Sequence, residues 1–179
     1  MESASSIIYY YSRTKNTASV AQDLSDLLNC PIEEIIDWKK RKGIFSFLTN
    51  SYEAITGKET KIAPISNNPK HFNHIILGFP VWASHIPPAI RTFINKYKED
   101  INSISLFCTQ GGNGGEKTFS LIEEILNINP NFKIIINKRD VKALNYMGNL
   151  ESFLINEKLS LGWVFLFIYN KTRHFYRVK

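Results

Sequence analysis

Cysteine is scarce in this 179-residue chain: there are two, Cys30 and Cys108, far apart and in no CxxC pair. That spacing argues against a disulfide framework and against a zinc site. Reduced thiols in a cytoplasmic protein are the expectation. Long apolar runs are missing as well; none approaches the roughly 20 residues that a membrane-spanning helix needs. The opening stretch MESASSIIYYYSRT has no basic segment ahead of an apolar core, so no signal peptide is read. No internal repeat and no low-complexity linker divides the chain. Two nucleotide motifs are absent too. No GxGxxG follows the first apolar run. In the nearest approach to GxxxxGK[ST], Tyr52 stands where the first glycine belongs and Glu59 where Ser or Thr belongs.

What is present has the composition of a soluble globular domain, 44% hydrophobic and 21% charged, and the length suits one domain with a continuous core. The net charge of +6 admits acidic partners or anionic cofactors, and equally accompanies any lysine-rich proteome. Along the chain, short apolar runs alternate with helical patterns. Ile7–Tyr11, Ile32–Ile36, His74–Gly78, Ile104–Thr109 and Phe132–Asn137 read as strands. Val20, Ala21, Leu24, Leu27 and Leu28 mark one face of a helix after the first strand. Residues 44–57 suit a second helix, with Gly57 just past its end. Pro88 opens a third helix that turns Ile90, Phe93, Ile94 and Tyr97 inward, and a fourth runs from about Lys117 to Leu126. Such alternation predicts an α/β fold with a doubly wound parallel sheet. Its ligand crevice belongs at the carboxyl ends of the strands, and the three loops of unusual composition sit there.

The first loop, Ser12-Arg13-Thr14-Lys15-Asn16-Thr17, runs straight into a helix amino terminus, where free amides and the helix dipole favour an anion. Hydroxyls, an amide and two cations suit a phosphate; the same residue types also cap helices and form turns. The second loop, GFPVWASHIPP from Gly78 to Pro88, holds Trp82 between prolines. It makes a rigid aromatic wall that stacks on a flat heterocycle, or else packs into the core or an oligomer interface. His85 there reads as a solvated loop residue more readily than as a ligand contact. The third loop, CTQGGNGGEKTF, packs four glycines within five positions, which lets the backbone approach a ligand closely.

In order and spacing, these three loops resemble those of the flavodoxin-like family of FMN proteins in its compact single-domain form, over roughly Ile7 to Asn137. The resemblance implies a flavodoxin-like, five-stranded sheet in the order 2-1-3-4-5. It makes the chain one domain with a core over about residues 7–158 and an extension over 159–179. It implies FMN as cofactor, with Ser12, Arg13, Thr14, Lys15, Asn16 and Thr17 at the phosphate. Pro80, Val81, Trp82 and Ala83 would then flank the ring, and Thr109, Gln110, Gly111, Gly112, Asn113 and Gly115 would face its pyrimidine edge. No side chain is needed as a general acid or base, so no catalytic residue is assigned. Lys15 replaces the family's usual glycine; either it accepts a left-handed conformation or, as we expect, it takes ordinary helical or bridge angles and adds charge beside the phosphate. The implied role is electron carriage or the reduction of a small acceptor. The other readings are a non-redox module for a phosphorylated ligand and a flavin-free relative. A redox partner protein, NAD(P)H and a homodimer remain open; neither nucleic acid nor a transmembrane segment is expected. Because the second and third loops contain no Asp or Glu before Glu116, a less negative potential than that of acidic shuttles is expected.

The basic DWKKRKG cluster, residues 37–43, reads as a solvated helix entrance, with an acidic partner or an NADPH phosphate as alternatives. ESFLINEK, residues 151–158, suits a last helix. Residues 159–179, apolar and then basic and aromatic, are expected to pack against the domain.

Overall fold

The computed structural model describes residues 6–39 and 45–152, in which five parallel strands form one sheet. In chain order the elements are β1 (Ser6–Tyr10), α1 (Asn16–Leu28), β2 (Ile32–Glu34), α2 (Phe45–Ile55), β3 (His74–Pro80), α3 (Pro88–Tyr97), β4 (Ile104–Gln110), α4 (Gly115–Leu126), β5 (Lys133–Asn137) and α5 (Lys138–Ala143). The strand order is β2-β1-β3-β4-β5, as the resemblance implied. The chain winds outward to β2, returns past β1, and continues the other way from β3. The reversal lies between β1 and β3, so the connections leaving their carboxyl ends run to opposite sides of the sheet and leave a crevice between them.

Strand side chains alternate between two buried faces. Ile7, Tyr9, Leu77, Phe79 and Leu106 pack with Ile90 and Phe93 of α3 and Phe119 and Ile122 of α4. Ile8, Ile76, Phe107 and Ile136 pack with Val20, Ala21 and Leu24 of α1 and with Tyr146 beyond α5. Both faces being covered explains why β3 and β4 read as continuous apolar runs rather than alternating ones. Gly78 pairs in register with Phe107. A Cβ there would lie 1.9 Å from Phe107 Cζ, so the glycine exists to seat that ring.

Several polar groups inside the domain are tied down by specific partners. His74 is fully buried, with Nδ1 2.7 Å from Ser103 Oγ and Nε2 3.1 Å from Ser105 Oγ. Tyr146 donates to the Asp23 carboxylate and ties the segment after α5 to α1. Cys108, on β4, is buried and unbridged, and burial pushes its thiol far above the ordinary range.

Three elements differ from the sequence reading. The second strand is three residues long, because past Glu34 the chain leaves β1 and pairs antiparallel with another segment: Trp38 N–H donates to Lys61 O and Ala63 N–H to Ile36 O, each at 2.9 Å. Six residues of helix, α5, follow β5 directly; they are too few to show a period in sequence. The last helix begins before Glu151, with residues 147–152 already helical. Most of its expected span lies outside the described residues, as do 40–43 of the basic cluster and all of 159–179. Among the described residues no helix is long and apolar enough to cross a membrane, and no cluster of His, Cys, Asp or Glu is placed to hold a metal.

Candidate functional site: a crevice of three interlocked loops

The first loop leaves β1 at Tyr11, whose N–H donates to Gly78 O at 2.9 Å. Helix α1 begins abruptly. Its cap residue, Lys15, sits at φ 64° and ψ −6°, and no side chain caps the helix. The first turn closes with Ser19 N–H on Lys15 O at 2.9 Å, so the amides of Asn16, Thr17 and Ala18 point out of the helix end without a capping side chain. Ser12 Oγ is buried there with no hydrogen-bond partner. An uncapped helix terminus beside an orphaned buried hydroxyl is an arrangement that an anion completes.

Lys15 corrects an expectation: it takes the left-handed conformation, not ordinary helical or bridge angles. The strand must turn sharply into the helix, and a residue with positive φ makes that turn. For lysine this costs roughly 1–2 kcal/mol. Its charge acts on Glu34 at the end of β2. Burial raises the Glu34 carboxyl above its usual range, while the charge of Lys15 and the hydrogen bond from Tyr10 pull it back. Around this turn Arg13, Thr14 and Lys15 are exposed, and Asn16 Nδ2 donates to Thr14 Oγ1 at 3.3 Å.

The second loop is pinned by Val81 N–H on Thr109 O at 2.9 Å. It then makes a two-residue turn in which Trp82 and His85 exchange backbone hydrogen bonds, of 3.4 Å from Trp82 N–H and 2.9 Å from His85 N–H. The central residues, Ala83 and Ser84, lie at φ 49° and 60°, as a primed hairpin turn requires, although neither is glycine. Trp82 is half-buried. Tyr11 meets its ring edge-on, with centroids 5.7 Å apart and planes at 71°. His85 Nδ1 is 2.7 Å from Ala83 O, so this ring nitrogen serves the turn.

In the third loop the four glycines divide into two pairs. Gly114 has φ 103°, and a Cβ on it would come within 2.3 Å of Ser84 Oγ and 2.7 Å of Ser84 Cα. Gly115 lies against Ile135 and Cys108. These two are packing glycines. A Cβ on Gly111 or Gly112 would meet nothing within 4 Å, so their open backbone is space kept free beside the crevice. Gln110 fixes the loop's base: its Nε2 donates to Asn137 Oδ1 at 3.3 Å, and its Oε1 accepts from Gly115 N–H at 3.0 Å. Both polar ends of that side chain are therefore engaged in positioning rather than turned to a ligand. Asn113 is exposed at the tip.

The residues singled out in sequence thus come together at one end of the sheet. Thr17 and Thr109 join the first loop to the third through their hydroxyls at 2.8 Å. Tyr11 and Trp82 join the first to the second, and Ser84 against Gly114 joins the second to the third. Sequence reasoning missed Tyr11, Ser84, Glu34 and Asn137. Each acts by bracing a neighbour across the fold, and no local pattern marks that.

A doubly wound 2-1-3-4-5 sheet with an anion-ready helix terminus, an aromatic wall and a bare glycine pair at its carboxyl end defines a flavodoxin-like α/β domain. The chain belongs to the flavodoxin family, whose sequence profile matches residues 5–147. No functionally curated protein matches it. Among solved structures it is similar to a flavoprotein from Lactobacillus acidophilus in complex with FMN, with a TM-score of 0.66 and 17% identity, over 78% of this chain and 97% of that one. The apo form of the flavoprotein from that organism gives a TM-score of 0.58 at 18% identity, over 79% and 97%. A protein of Bacteroides uniformis assigned as a flavoprotein gives 0.65 at 19%, over 83% and 99%. At these identities the likeness establishes the fold.

Proposed function

We propose that this protein binds FMN in the three-loop crevice and serves as an electron-transfer flavoprotein or a small FMN-dependent oxidoreductase. The observation that carries the reading is Ser12 Oγ, buried and unpartnered beside the uncapped amino terminus of α1. A phosphate there satisfies both. Ser12, Thr14 and Asn16 then hold the phosphate with the amides of α1, while Arg13 and Lys15 contribute positive charge. Thr17 contributes its amide, and its hydroxyl fixes the loop on Thr109. Trp82 and the backbone of Pro80, Val81 and Ala83 flank the ring, and the bare backbones of Gly111 and Gly112, with Asn113, approach the pyrimidine edge. Thr109, Gln110 and Gly115 hold that loop in place. The bound FMN supplies the redox chemistry, and the protein binds, orients and tunes it. No side chain of the crevice has to move a proton, so none is assigned as catalytic. The second and third loops carry no carboxylate before Glu116, so they would place little negative charge of their own beside a bound flavin. The potential of the bound cofactor is accordingly less negative than in acidic shuttles.

Titration of the full chain with FMN tests this. Saturable, one-to-one binding with quenching of Trp82 fluorescence is expected, and Ser12→Ala should weaken it by about 1.5–3 kcal/mol, the worth of a hydrogen bond to a charged group. A chain that binds inorganic phosphate but prefers FMN no further would be a phosphate-binding module instead. Addition of NADPH or NADH to the loaded protein then separates a reductase from a shuttle, and a very low potential on redox titration would contradict the charge argument.

A further inference from the structure

Next to the crevice, on its β5 side, lies a half-open cleft of about 430 Å³ whose described lining is Gly111, Gly112, Asn137, Lys138, Arg139 and Asp140. No residue of the first loop and none of the second lines it, so it is not the anion-ready end of α1. Lys138 and Arg139 are exposed, and among the described residues neither takes part in an ion pair. The amides of Gly111 and Gly112 are likewise unengaged there. Among the described residues one carboxylate, Asp140, shares the lining with Lys138 and Arg139, a set of side chains with a net positive charge.

Each part has a chemical meaning. An ammonium beside a guanidinium suits a phosphate: the guanidinium forks onto two oxygens and the ammonium adds a point charge. Unengaged glycine amides offer further donors to an anion. Asn137 and Asp140 can accept from hydroxyl or amino groups, which a bare inorganic anion lacks and a nucleoside carries. The volume falls in the range of small-molecule sites and exceeds what a lone phosphate fills.

We propose that this cleft binds a small phosphorylated ligand of nucleotide size, with Lys138 and Arg139 on its phosphate and Asn137 and Asp140 on its nucleoside portion. The site goes beyond the FMN reading. It shares with the crevice the Gly111–Gly112 backbone and Asn137, which braces Gln110, so an occupant touches the same strip of chain that faces the flavin's edge.

The test uses ADP as the probe and adenosine as its uncharged control, with the full chain both saturated with FMN and free of it. Amide chemical shifts should move saturably at Gly111, Gly112 and Lys138 to Asp140 with ADP. Adenosine should bind about tenfold more weakly or less, because the charge-assisted bonds are lost. The double variant Lys138→Ala, Arg139→Ala should lose about tenfold or more in ADP affinity while its affinity for FMN changes by less than about twofold. Shifts that fall on Ser12 to Thr17 would mean that ADP occupies the α1 terminus, and would overturn the proposal. So would the absence of saturable shifts, or full ADP affinity in the double variant. An acidic protein that binds at Lys138 and Arg139 while ADP does not would equally overturn it. If the double variant fails to fold, Lys138→Gln alone and the wild-type shifts decide the question. Failure of the FMN reading shows separately, in the FMN titration of the same sample.

Discussion

Thr17 at the start of α1 and Thr109 at the end of β4 meet hydroxyl to hydroxyl at 2.8 Å, both buried, across 92 positions of sequence. The bond fixes the distance between the phosphate loop and the glycine loop. One hydroxyl donates to the other, which keeps its own proton available. Replacing Thr109 with Val strands the Thr17 hydroxyl and should cost about 1–3 kcal/mol in chemical denaturation. The double replacement Thr17→Val, Thr109→Val should cost less than the sum of the two single ones. Strict additivity would mean that the hydroxyls do not interact.

The left-handed angles of Lys15 separate conformation from charge. Lys15→Gly and Lys15→Ala both remove the ammonium, yet only glycine removes the strain. The glycine variant should be the more stable of the pair by about 1 kcal/mol, net of the entropy that glycine brings to the unfolded chain. Both should weaken FMN binding to a similar degree and flatten its salt dependence, since a charge beside the phosphate is gone. Melting curves and FMN titrations at two ionic strengths check the two halves independently.

Glycines that look alike in sequence should respond differently to alanine. Gly78→Ala drives a methyl into the Phe107 ring, and Gly114→Ala drives one into the backbone of Ser84 at a positive φ. Each should destabilise by about 2–3 kcal/mol or more. Gly111→Ala and Gly112→Ala meet open space and should change stability by less than about 0.5 kcal/mol. If the crevice holds FMN, these two silent variants are the ones that lose affinity. Equal melting temperatures for all four would refute the division.

Stability should fall on the alkaline side. Burial raises the phenols of Tyr9, Tyr10 and Tyr146, aided by Glu33 near Tyr9, by Glu34 near Tyr10, and by the Asp23 hydrogen bond and charge at Tyr146. A group raised in the fold contributes stability that is complete below its unfolded value, here about 10, and is lost as pH rises past it. Burial raises the Cys108 thiol as well. Denaturation midpoints should therefore hold steady from neutrality to pH about 8, begin to decline above about 8.5, the unfolded thiol value, and fall more steeply above about 10. Tyr146→Phe should lose about 1 kcal/mol at neutral pH and show a shallower alkaline decline, because one of the three phenols is gone.

Much of this was legible in the sequence because the signals were local. The strands of the sheet interior, buried on both faces, announced themselves as runs such as His74–Gly78. Pro88 and Gly57 marked a helix start and a helix end where the structure has them. The three site loops stood out by composition. What stayed hidden depends on contacts between distant segments. Nothing around Gly114 says that Ser84 lies against it. Nothing in SRTKNT shows that Lys15 answers to Glu34 on the neighbouring strand. The shortening of β2 came from a competing pairing with residues 61–63, and α5 was too brief for any period. The place of Gln110 in its loop marks it as a ligand contact, and nothing local shows that its side chain also spans Asn137 and Gly115.

Cys108 adds a last consequence. It sits one residue before Thr109, beneath Gly115, and burial keeps its sulfur protonated. A thiol that does not ionise is a poor target for peroxide and for thiol-reactive reagents. The sulfur nearest the proposed redox centre is thus shielded from the oxidants that such a centre generates with oxygen. Damage of that kind should fall first on half-exposed Cys30, at the far end of α1, where its loss leaves the three loops untouched.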